Sequence, residues 1–314
     1  MADALPVHEL RRRAMGADAH LLIAGPASLV DGASARLDEL EGRWSRFIES
    51  SEVCAINARA GRDVVVSTDT QLLFARAIEA WRLTGGTFDP TVLGDLWRAG
   101  YDRSFDGLTG AERPNSLHRG AAGIVCRDGT VRVPGGIGFD PGGIGKGLAA
   151  DIVARETINA GASAACINLG GDLRAIGQHP QHGGWTIAIE HPHHAEAIAT
   201  VAIGEGAVAT STTLRREWIA DGKARHHLID PRTGEPAATD IDLVTVIAGD
   251  AWIAEVLAKA ELLRGTERLF DLVGGTGAEA LAVTTDGRIL TTNGFARFVL
   301  EVHSSRTDFV GSSH

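Results

Sequence analysis

The chain has 314 residues, 44% of them hydrophobic, so it can bury a full core without relying on disulfides. Its formal net charge of −10 predicts an acidic surface that repels nucleic acid and anionic lipid, which excludes both as expected partners. The three cysteines are widely spaced and contain no CxxC pair, which indicates neither a disulfide framework nor a zinc knuckle.

The N-terminal region carries three arginines at residues 11–13, with no apolar run after them and no lipid-attachment cysteine nearby. No signal peptide is therefore predicted, and a cytoplasmic location is expected. No apolar stretch approaches the length of a membrane-spanning helix, so no membrane segment is predicted.

The first hundred residues alternate strands with helices. A strand is predicted over 18–24 and a short one over 64–66. Amphipathic spacing predicts helices over 31–47 and 70–84, and Gly85 and Gly86 end the second helix. The polar stretch over 101–119 predicts a loop.

Strands outnumber helices in the rest of the chain. A hairpin around Asp128 and Gly129 is predicted within 123–133, and helices over 148–159 and 251–263. Further strands are predicted over 164–169, 185–190, 201–203, 207–210, 226–229 and 243–247, with a closing meander over 281–284, 289–291 and 298–302. This mixture favours an α+β fold in a single domain over 1–303, followed by a disordered tail over 304–314.

The most informative segment is the glycine-rich stretch over 138–151, between a predicted strand and a predicted helix. Glycines let a ligand approach the backbone, and the N-terminus of the following helix offers N–H groups to an anion. Lys146 lies where its ammonium can meet a phosphate oxygen. The segment is neither a Walker A loop, because of Asp140 and Gly147, nor a Rossmann glycine motif, because of Leu148. The alternative is a plain turn with a solvated lysine.

Six short motifs, taken in chain order, provide the remaining functional information in the sequence. They are Trp44-Ser45-Arg46-Phe47 with Ser51-Glu52-Val53-Cys54-Ala55-Ile56-Asn57, Thr84-Gly85-Gly86-Thr87-Phe88-Asp89-Pro90, Gly142-Gly143-Ile144-Gly145-Lys146-Gly147 with Asp151, Asn168-Leu169-Gly170-Gly171-Asp172, Ala209-Thr210-Ser211, and His227-Leu228-Ile229-Asp230-Pro231-Arg232-Thr233-Gly234. Together they resemble the signatures of the FAD:protein FMN transferases of the ApbE family, and the resemblance runs from about Met15 to Phe298.

This resemblance implies an ApbE-like (T-fold-like) α+β fold with mixed and antiparallel sheets, packed helices, and FAD bound in a cleft between loops. The residues it assigns to the FAD site are Met15, Phe47, Thr87, Phe88, Asp89, Lys146, Ala149 and Ile229. Phe47 would offer a ring for the flavin to stack on. For Phe47 and Phe88, plain core packing is the alternative.

The family's metal site is altered in this sequence. The resemblance implies a magnesium ion held by Asp and Thr four residues apart on one helix and by a backbone carbonyl, here that of Gly143. Glu255 and Lys259 stand at the two side-chain positions. Since a lysine ammonium repels a dication, either Lys259 replaces the ion or Mg²⁺ binds through Glu255, Gly143 and the FAD phosphates. A Glu–Lys surface pair worth ~0.3–0.5 kcal/mol is the third alternative.

The activity implied is transfer of FMN from FAD to a threonine or serine of an acceptor flavoprotein with an Asp-x-x-Thr/Ser-Gly-Ala motif, with release of AMP. His227 is the predicted base, because imidazole titrates near neutral pH, with Asp230 beside it and Lys259 as a catalytic cation. A hydrogen-bonded structural role is the alternative for His227. Residues 106–111 resemble the acceptor motif, but Glu112 stands where it ends in Thr or Ser.

Two other functions stay open at this point. One is a non-catalytic FAD-binding protein, left inactive by the altered metal pair. The other is an FAD pyrophosphatase, which uses water as the acceptor and gives FMN and AMP.

Overall fold

The computed structural model describes residues 6–101, 120–177, 179, 184–215, 217–220, 223–303 and 310–311. The α-helices of these ranges are α1 (Ser28–Trp44), α2 (Glu52–Ala58), α3 (Thr68–Leu83), α4 (Leu93–Arg98), α5 (Gly145–Asn159) and α6 (Ala251–Arg264). The strands are β1 (Val7–Ala14), β2 (Ala17–Ala24), β3 (Val64–Val65), β4 (Val125–Arg127), β5 (Thr130–Arg132), β6 (Ala164–Leu169), β7 (Asp172–Ile176), β8 (Trp185–Glu190), β9 (Ala197–Ile203), β10 (Gly206–Thr212), β11 (Glu217–Ala220), β12 (Lys223–His226), β13 (Ile229–Asp230), β14 (Glu235–Pro236), β15 (Ile241–Ala248), β16 (Glu279–Thr284), β17 (Ile289–Thr291), β18 (Val299–Val302) and β19 (Val310–Gly311).

The chain divides into two compact units. The first unit comprises residues 1–38, 146–212 and 240–314, and the second comprises residues 39–145 and 213–239. Among the described residues, no helix is long and apolar enough to cross a bilayer. Strand β19 lies within the predicted tail, while residues 304–309 and 312–314 lie outside the described ranges, as does the predicted loop beyond Tyr101.

The first unit is built on a large sheet. Within the described residues nine strands pair in the order β1-β2-β6-β7-β10-β15-β16-β17-β19, antiparallel except for the parallel pair β17–β19. Helix α6 packs against β10 and β15. Strands β8, β9 and β18 pair with one another, and their apolar side chains share a core with those of the large sheet, including Leu243 and Ile247. Strand β15 is covered on both faces, which explains its nearly continuous apolar sequence.

Two turns meet at one end of this sheet. Antiparallel register places the turn after Ala14 beside the turn after Leu169, because Ala19 pairs with Leu169. Met15 (φ 52°) and Gly16 (φ 68°) form the first turn, and both have the left-handed backbone that a tight two-residue hairpin requires. A Cβ on Gly170 would lie 2.7 Å from that of Ala17, so only glycine allows the turns to approach this closely. Met15 and Asp172 therefore lie at the same end of the sheet.

The second unit combines short helices with small sheets. Strands β3, β5 and β4 pair in that order, and β11–β12 and β13–β14 are separate hairpins. Ser51 and Ser67 cap the N-termini of α2 and α3, accepting hydrogen bonds from the backbone N–H groups of Cys54 and Thr70. A stacked pair of phenylalanines, Phe74 and Phe139, lies fully buried with ring centroids 3.9 Å apart. The start of the glycine-rich segment is therefore packed into the interior of this unit.

The predicted α+β class is confirmed, and helices α1, α3, α5 and α6 lie close to their predicted ranges. The predicted strand over 226–229 is wrong, because β12 ends at His226 and β13 begins at Ile229. The predicted closing meander is wrong in its last strand, since β18 pairs with β9 instead of β17. Strands β1 and β7 and helix α4 were not predicted.

Candidate functional site

The first unit holds a buried lysine–carboxylate cluster formed by Lys146, Asp172 and Glu255. The ammonium of Lys146 donates hydrogen bonds to Asp172 and to Glu255 Oε1, the latter at 2.9 Å. The other carboxylate oxygen of Glu255 accepts from the backbone N–H of Gly147 at 2.8 Å. The carboxylate side chains are 4% and 3% exposed and that of Lys146 is 18% exposed. Lys146 is thus held by two carboxylates, which excludes the solvated-lysine alternative.

The packing of two helix N-termini brings this cluster together. A Cβ on Gly147 would lie 2.4 Å from the carbonyl oxygen of Ala251, so glycine is what allows the first turns of α5 and α6 to touch. Asp151, one turn further along α5, accepts from the backbone N–H groups of Ala251 and Trp252 at 3.0 Å each. These contacts fix the first turn of α6, and with it the side chain of Glu255, against the start of α5.

Burial and neighbouring charges shift the pKa values of these groups in opposite directions. Burial alone would lower the pKa of Lys146, but the Asp172 and Glu255 carboxylates outweigh it and hold that pKa above its ordinary value. Burial raises the pKa of Asp172, and the positive charges of Lys146 and Lys259 act against that rise. Burial raises the pKa of Asp151 to about 6, although its two backbone hydrogen bonds oppose the shift. Lys146 therefore keeps its charge at neutral pH.

The donor set around Glu255 does not fit a magnesium ion. Both carboxylate oxygens of Glu255 are already engaged, one by an ammonium and one by a backbone N–H. Lys259, one turn further along α6, adds a second positive charge that acts on Asp172. In the described part of the chain, no three His, Cys, Asp or Glu side chains form a group able to hold a metal. Glu255 is 2% exposed, which also excludes the surface-pair alternative.

In the second unit, Arg46, which follows α1, and Asn57 of α2 anchor the glycine-rich segment. The amide of Asn57 brackets the backbone of Phe139, donating to its carbonyl at 2.9 Å and accepting from its N–H at 2.8 Å. The guanidinium of Arg46 lies 3.0 Å from the carboxylate of Asp140. Asn57 and Arg46 belong to the first of the six motifs, and these contacts explain why that motif and the glycine-rich segment occur together.

Beside this anchor lies an open aromatic surface. The guanidinium of Arg46 lies 4.2 Å from the ring centroid of Phe47 and 4.5 Å from that of Tyr101. Tyr101 also stacks on Trp218, with centroids 5.5 Å apart. Phe47 is 43% exposed. A hollow of about 470 Å³, called here the aromatic hollow, is lined by Arg46, Phe47, Glu49, Cys54, Ala55 and Ala58. It therefore offers a ring to a planar ligand.

The other predicted FAD-site residues have mixed surroundings. Phe88, Ile229 and Ala149 are buried, so core packing describes their side chains in this structure. The carboxylate of Asp89 accepts from the backbone N–H of Thr91 at 2.8 Å and belongs to a buried turn. Thr87 is half-buried. Phe88 therefore differs from Phe47, whose ring is exposed, and the roles of these five residues in the FAD site stay predictions.

The predicted base, His227, is half-buried in the segment that joins β12 to β13. The carboxylate of Asp230 accepts hydrogen bonds from the backbone and side chain of Arg232, at 2.8 and 2.9 Å. The neighbouring His226 accepts from the backbone N–H of Leu228 at 3.3 Å, and its other ring nitrogen lies 3.1 Å from the carbonyl oxygen of Ala237. His226 thus has a structural position, and the catalytic roles of His227 and Asp230 stay predictions.

Sequence reasoning gave no role to Asp172, Arg46 or Tyr101. Asp172 stands in a quoted motif, but its partner Lys146 lies 26 residues away and becomes a neighbour only in the folded chain, where the first residues of α5 and β7 meet. One signal in the sequence could have indicated Asp172. It directly follows two glycines after a buried strand, and a turn at those glycines places the aspartate at the same end of the sheet as the end of that strand.

These features define an α+β protein whose glycine-rich segment leads into a helix with a buried, doubly paired lysine in its first turn. The chain belongs to the ApbE family, whose sequence model matches residues 15–282. It is 31% identical over 284 residues to an FAD:protein FMN transferase of Treponema pallidum, covering 81% of this chain and 78% of that protein. A second FAD:protein FMN transferase, from Vibrio cholerae, is 29% identical over 271 residues, covering 83% and 79% respectively.

The fold likeness extends over nearly the whole chain. The crystal structure of the ApbE protein from Thermotoga maritima superposes with a TM-score of 0.86 at 29% identity, covering 94% of this chain and all of that one. The predicted family and fold are therefore both confirmed.

Proposed function

We propose that this chain is an FAD:protein FMN transferase that moves FMN from FAD to a threonine or serine hydroxyl of an acceptor flavoprotein and releases AMP. The observation that carries this proposal is the ammonium of Lys146, which is held charged in the first turn of α5, within the glycine-rich segment. A fixed cation beside backbone N–H groups suits the diphosphate of a dinucleotide. Membership of the ApbE family supports the same conclusion.

The reaction is a phosphoryl transfer. The acceptor hydroxyl oxygen attacks the FMN phosphorus, and the new O–P bond forms as the bond from that phosphorus to the bridging oxygen breaks. AMP leaves with the bonding electron pair, and the hydroxyl proton passes to a base, for which we propose His227, with Asp230 beside it. Such transfers depend mainly on positioning and on stabilising charge on the phosphate oxygens.

We assign the parts of FAD to residues of each unit in turn. In the first unit, Lys146 and the N–H groups at the start of α5 would bind the phosphates, and Met15 would contact the flavin. In the second unit, the exposed ring of Phe47 would stack on the flavin, and Thr87 and Asp89 would line the FAD site. No step is assigned to Mg²⁺, because the oxygens of Glu255 are already engaged.

Intact mass spectrometry of an acceptor protein tests the proposal. The purified chain is incubated with FAD and an acceptor domain that carries an Asp-x-x-Thr/Ser-Gly-Ala motif. The expected result is an acceptor heavier by one FMN less one water, with AMP formed in equal amount. An acceptor whose target threonine is changed to valine is the matched control and should gain no mass.

Two other results would each replace the proposal. Free FMN and AMP in equal amounts, with an unmodified acceptor, would show the pyrophosphatase. Tight binding of FAD that remains intact would show the non-catalytic binding protein.

A further inference from the structure

We infer that this chain supplies the positive charge for FMN transfer from its own lysines, Lys146 and Lys259, and that the transfer needs no divalent cation. This inference rests on the proposed function. Asp172 and Glu255 act as positioning residues, which hold the Lys146 ammonium where a metal ion would otherwise neutralise the phosphates.

The first support is the occupancy of the buried carboxylates. The Lys146 ammonium bonds both Asp172 and Glu255, and the remaining oxygen of Glu255 accepts from Gly147 at 2.8 Å. A magnesium ion requires several oxygen ligands at short, strict distances. It would have to displace both an ammonium and a backbone N–H from a side chain that is 3% exposed. Both oxygens of the Glu255 carboxylate therefore accept hydrogen bonds and are not available as metal ligands.

The second support is the balance of charge. When both carboxyl groups are ionised, Asp172 and Glu255 carry two negative charges, and Lys146 and Lys259 carry two positive ones, so these four side chains balance one another without any ion. Before FAD binds, adding a dication would leave two uncompensated positive charges beside buried side chains. Because uncompensated charge is costly in a low-dielectric interior, the four side chains together disfavour a metal. A bound FAD diphosphate would meet the ammonium groups directly.

The third support is where the chain places its lysines. Only three of its 30 basic residues are lysines, and two of these three, Lys146 and Lys259, belong to this group. An ammonium is a compact charge with three donors, whereas a guanidinium is a wide planar fork. Lys146 directs two donors at Asp172 and Glu255, which leaves the third for a phosphate oxygen. This geometry is the one that lysine provides and arginine does not.

The decisive experiment measures FMN transfer by the full chain, stripped of metal with a chelator, in the acceptor assay described above. The expected result is the same transfer rate in EDTA and in added Mg²⁺. Titration of the chain with Mn²⁺, followed by electron paramagnetic resonance, is expected to show no saturable site. Transfer only with Mg²⁺, or a tight Mn²⁺ site, would overturn the inference and leave the proposed function intact. No transfer under either condition would overturn both.

A paired substitution sharpens the result. Glu255→Asp combined with Lys259→Thr restores the Asp and Thr pair, so transfer by this variant is expected to become chelator-sensitive and to be rescued by Mg²⁺. Glu255→Asp with Lys259→Met removes the same charge but supplies no oxygen ligand, so Mg²⁺ should not rescue it. Equal Mg²⁺ responses in the two variants would contradict the inference. The wild-type measurement stands even if neither variant folds.

The role of Asp172 has its own test. Asp172→Asn keeps the size of the side chain but removes one of the two negative charges that pair with the Lys146 ammonium. The variant is expected to bind FAD more weakly and riboflavin as tightly as the wild type does, because the Lys146 ammonium is no longer held from both sides. Equal loss of affinity for both ligands, or no loss for either, would show a merely structural role for Asp172.

Discussion

The two units present their candidate site residues in opposite ways. In the first unit, Lys146, Asp172 and Glu255 form a buried cluster in which each charge has an opposite partner. In the second unit, Phe47 and Arg46 lie beside an open hollow, and the ring of Phe47 is 43% exposed. Charges must be paired before burial, because an unpaired charge in the interior is costly, whereas an aromatic ring stays exposed at small cost. The cluster is therefore buried with its charges paired, whereas the hollow leaves the ring of Phe47 accessible.

The largest effect is expected for Lys146→Ala, which removes the cation from the cluster. The rate of FMN transfer should fall about 10²–10³-fold, the usual effect of losing a group that stabilises charge in the transition state. The measurement is the rate of mass gain by the acceptor. Arg268→Ala, which removes an exposed cation paired with Asp271, is the matched control and should keep the full rate.

Loss of the ammonium also leaves two buried carboxylates without their partner, at a cost of about 3–5 kcal/mol in unfolding free energy. The double variant Lys146→Ala/Glu255→Gln removes one of those carboxylates and is expected to be more stable but equally slow. A folded Lys146→Ala variant with a near wild-type rate would show that the cluster is only structural.

Asp151 tests whether the helix junction beneath the cluster depends on a buried carboxyl group. Because the pKa of Asp151 is raised to about 6 in the folded chain, the folded state binds this proton more tightly than the unfolded state. Its contribution to stability is therefore present at low pH and is lost as the pH rises from about 4 to about 6. The stability advantage of the wild type over Asp151→Asn should shrink across that range, by about 3 kcal/mol at most. Urea unfolding of both proteins at several pH values measures it, and parallel pH curves would contradict the account.

Phe47→Ala tests the exposed ring beside the aromatic hollow. Loss of a stacking ring should weaken binding of both FAD and riboflavin roughly two- to tenfold, corresponding to about 0.5–1.5 kcal/mol. Stability should hardly change, because the ring is largely exposed. Flavin fluorescence quenching measures the affinities. Leu300→Ala removes another exposed apolar side chain, 62% exposed, and should leave both affinities unchanged. An equal loss in the two variants would argue against stacking at Phe47.

The smallest effect is expected for Met15→Gly, at the hairpin tip beside the start of β7. Met15 has a φ of 52°, which an L-residue adopts only at a cost, so glycine should stabilise the chain by about 0.5–1 kcal/mol. If Met15 contacts the flavin, FAD affinity falls in the same variant. Asp128→Gly, at the hairpin tip between β4 and β5 (φ 48°), is the matched control and should gain stability without losing affinity. Unchanged affinity in Met15→Gly would remove Met15 from the site.

The elements that the sequence predicted best are those set by local periodicity. Helices α3 and α6 were predicted because apolar residues recur at helical spacing, and Gly85 and Gly86 signal the end of α3. The pairing of β18 with β9 was missed because it joins residues about a hundred positions apart, which no local pattern specifies. The break between His226 and Ile229 was missed because the chain forms a strand on each side of it, so the sequence was interpreted as one continuous strand.

The candidate site shows the same division between what local sequence predicts and what only the fold determines. Motif position predicted Lys146 and Phe47 as FAD-site residues. The structure pairs Lys146 with two buried carboxylates and leaves the ring of Phe47 exposed, and their roles in binding FAD stay predictions. The sequence paired Glu255 with Lys259, its neighbour on the helix, but in the structure Glu255 accepts a hydrogen bond from Lys146, 109 residues away. Contacts of this kind arise from the close packing of α5 and α6 at Gly147, which periodicity does not reveal.

The most direct test of the central claim compares FAD with riboflavin, which lacks the phosphates, as ligands of the wild type and of Lys146→Ala/Glu255→Gln. If the cluster binds phosphate, the double variant loses affinity for FAD and keeps the wild-type affinity for riboflavin. Equal loss of both ligands, or no loss of either, would contradict the claim that the buried ammonium recognises the diphosphate.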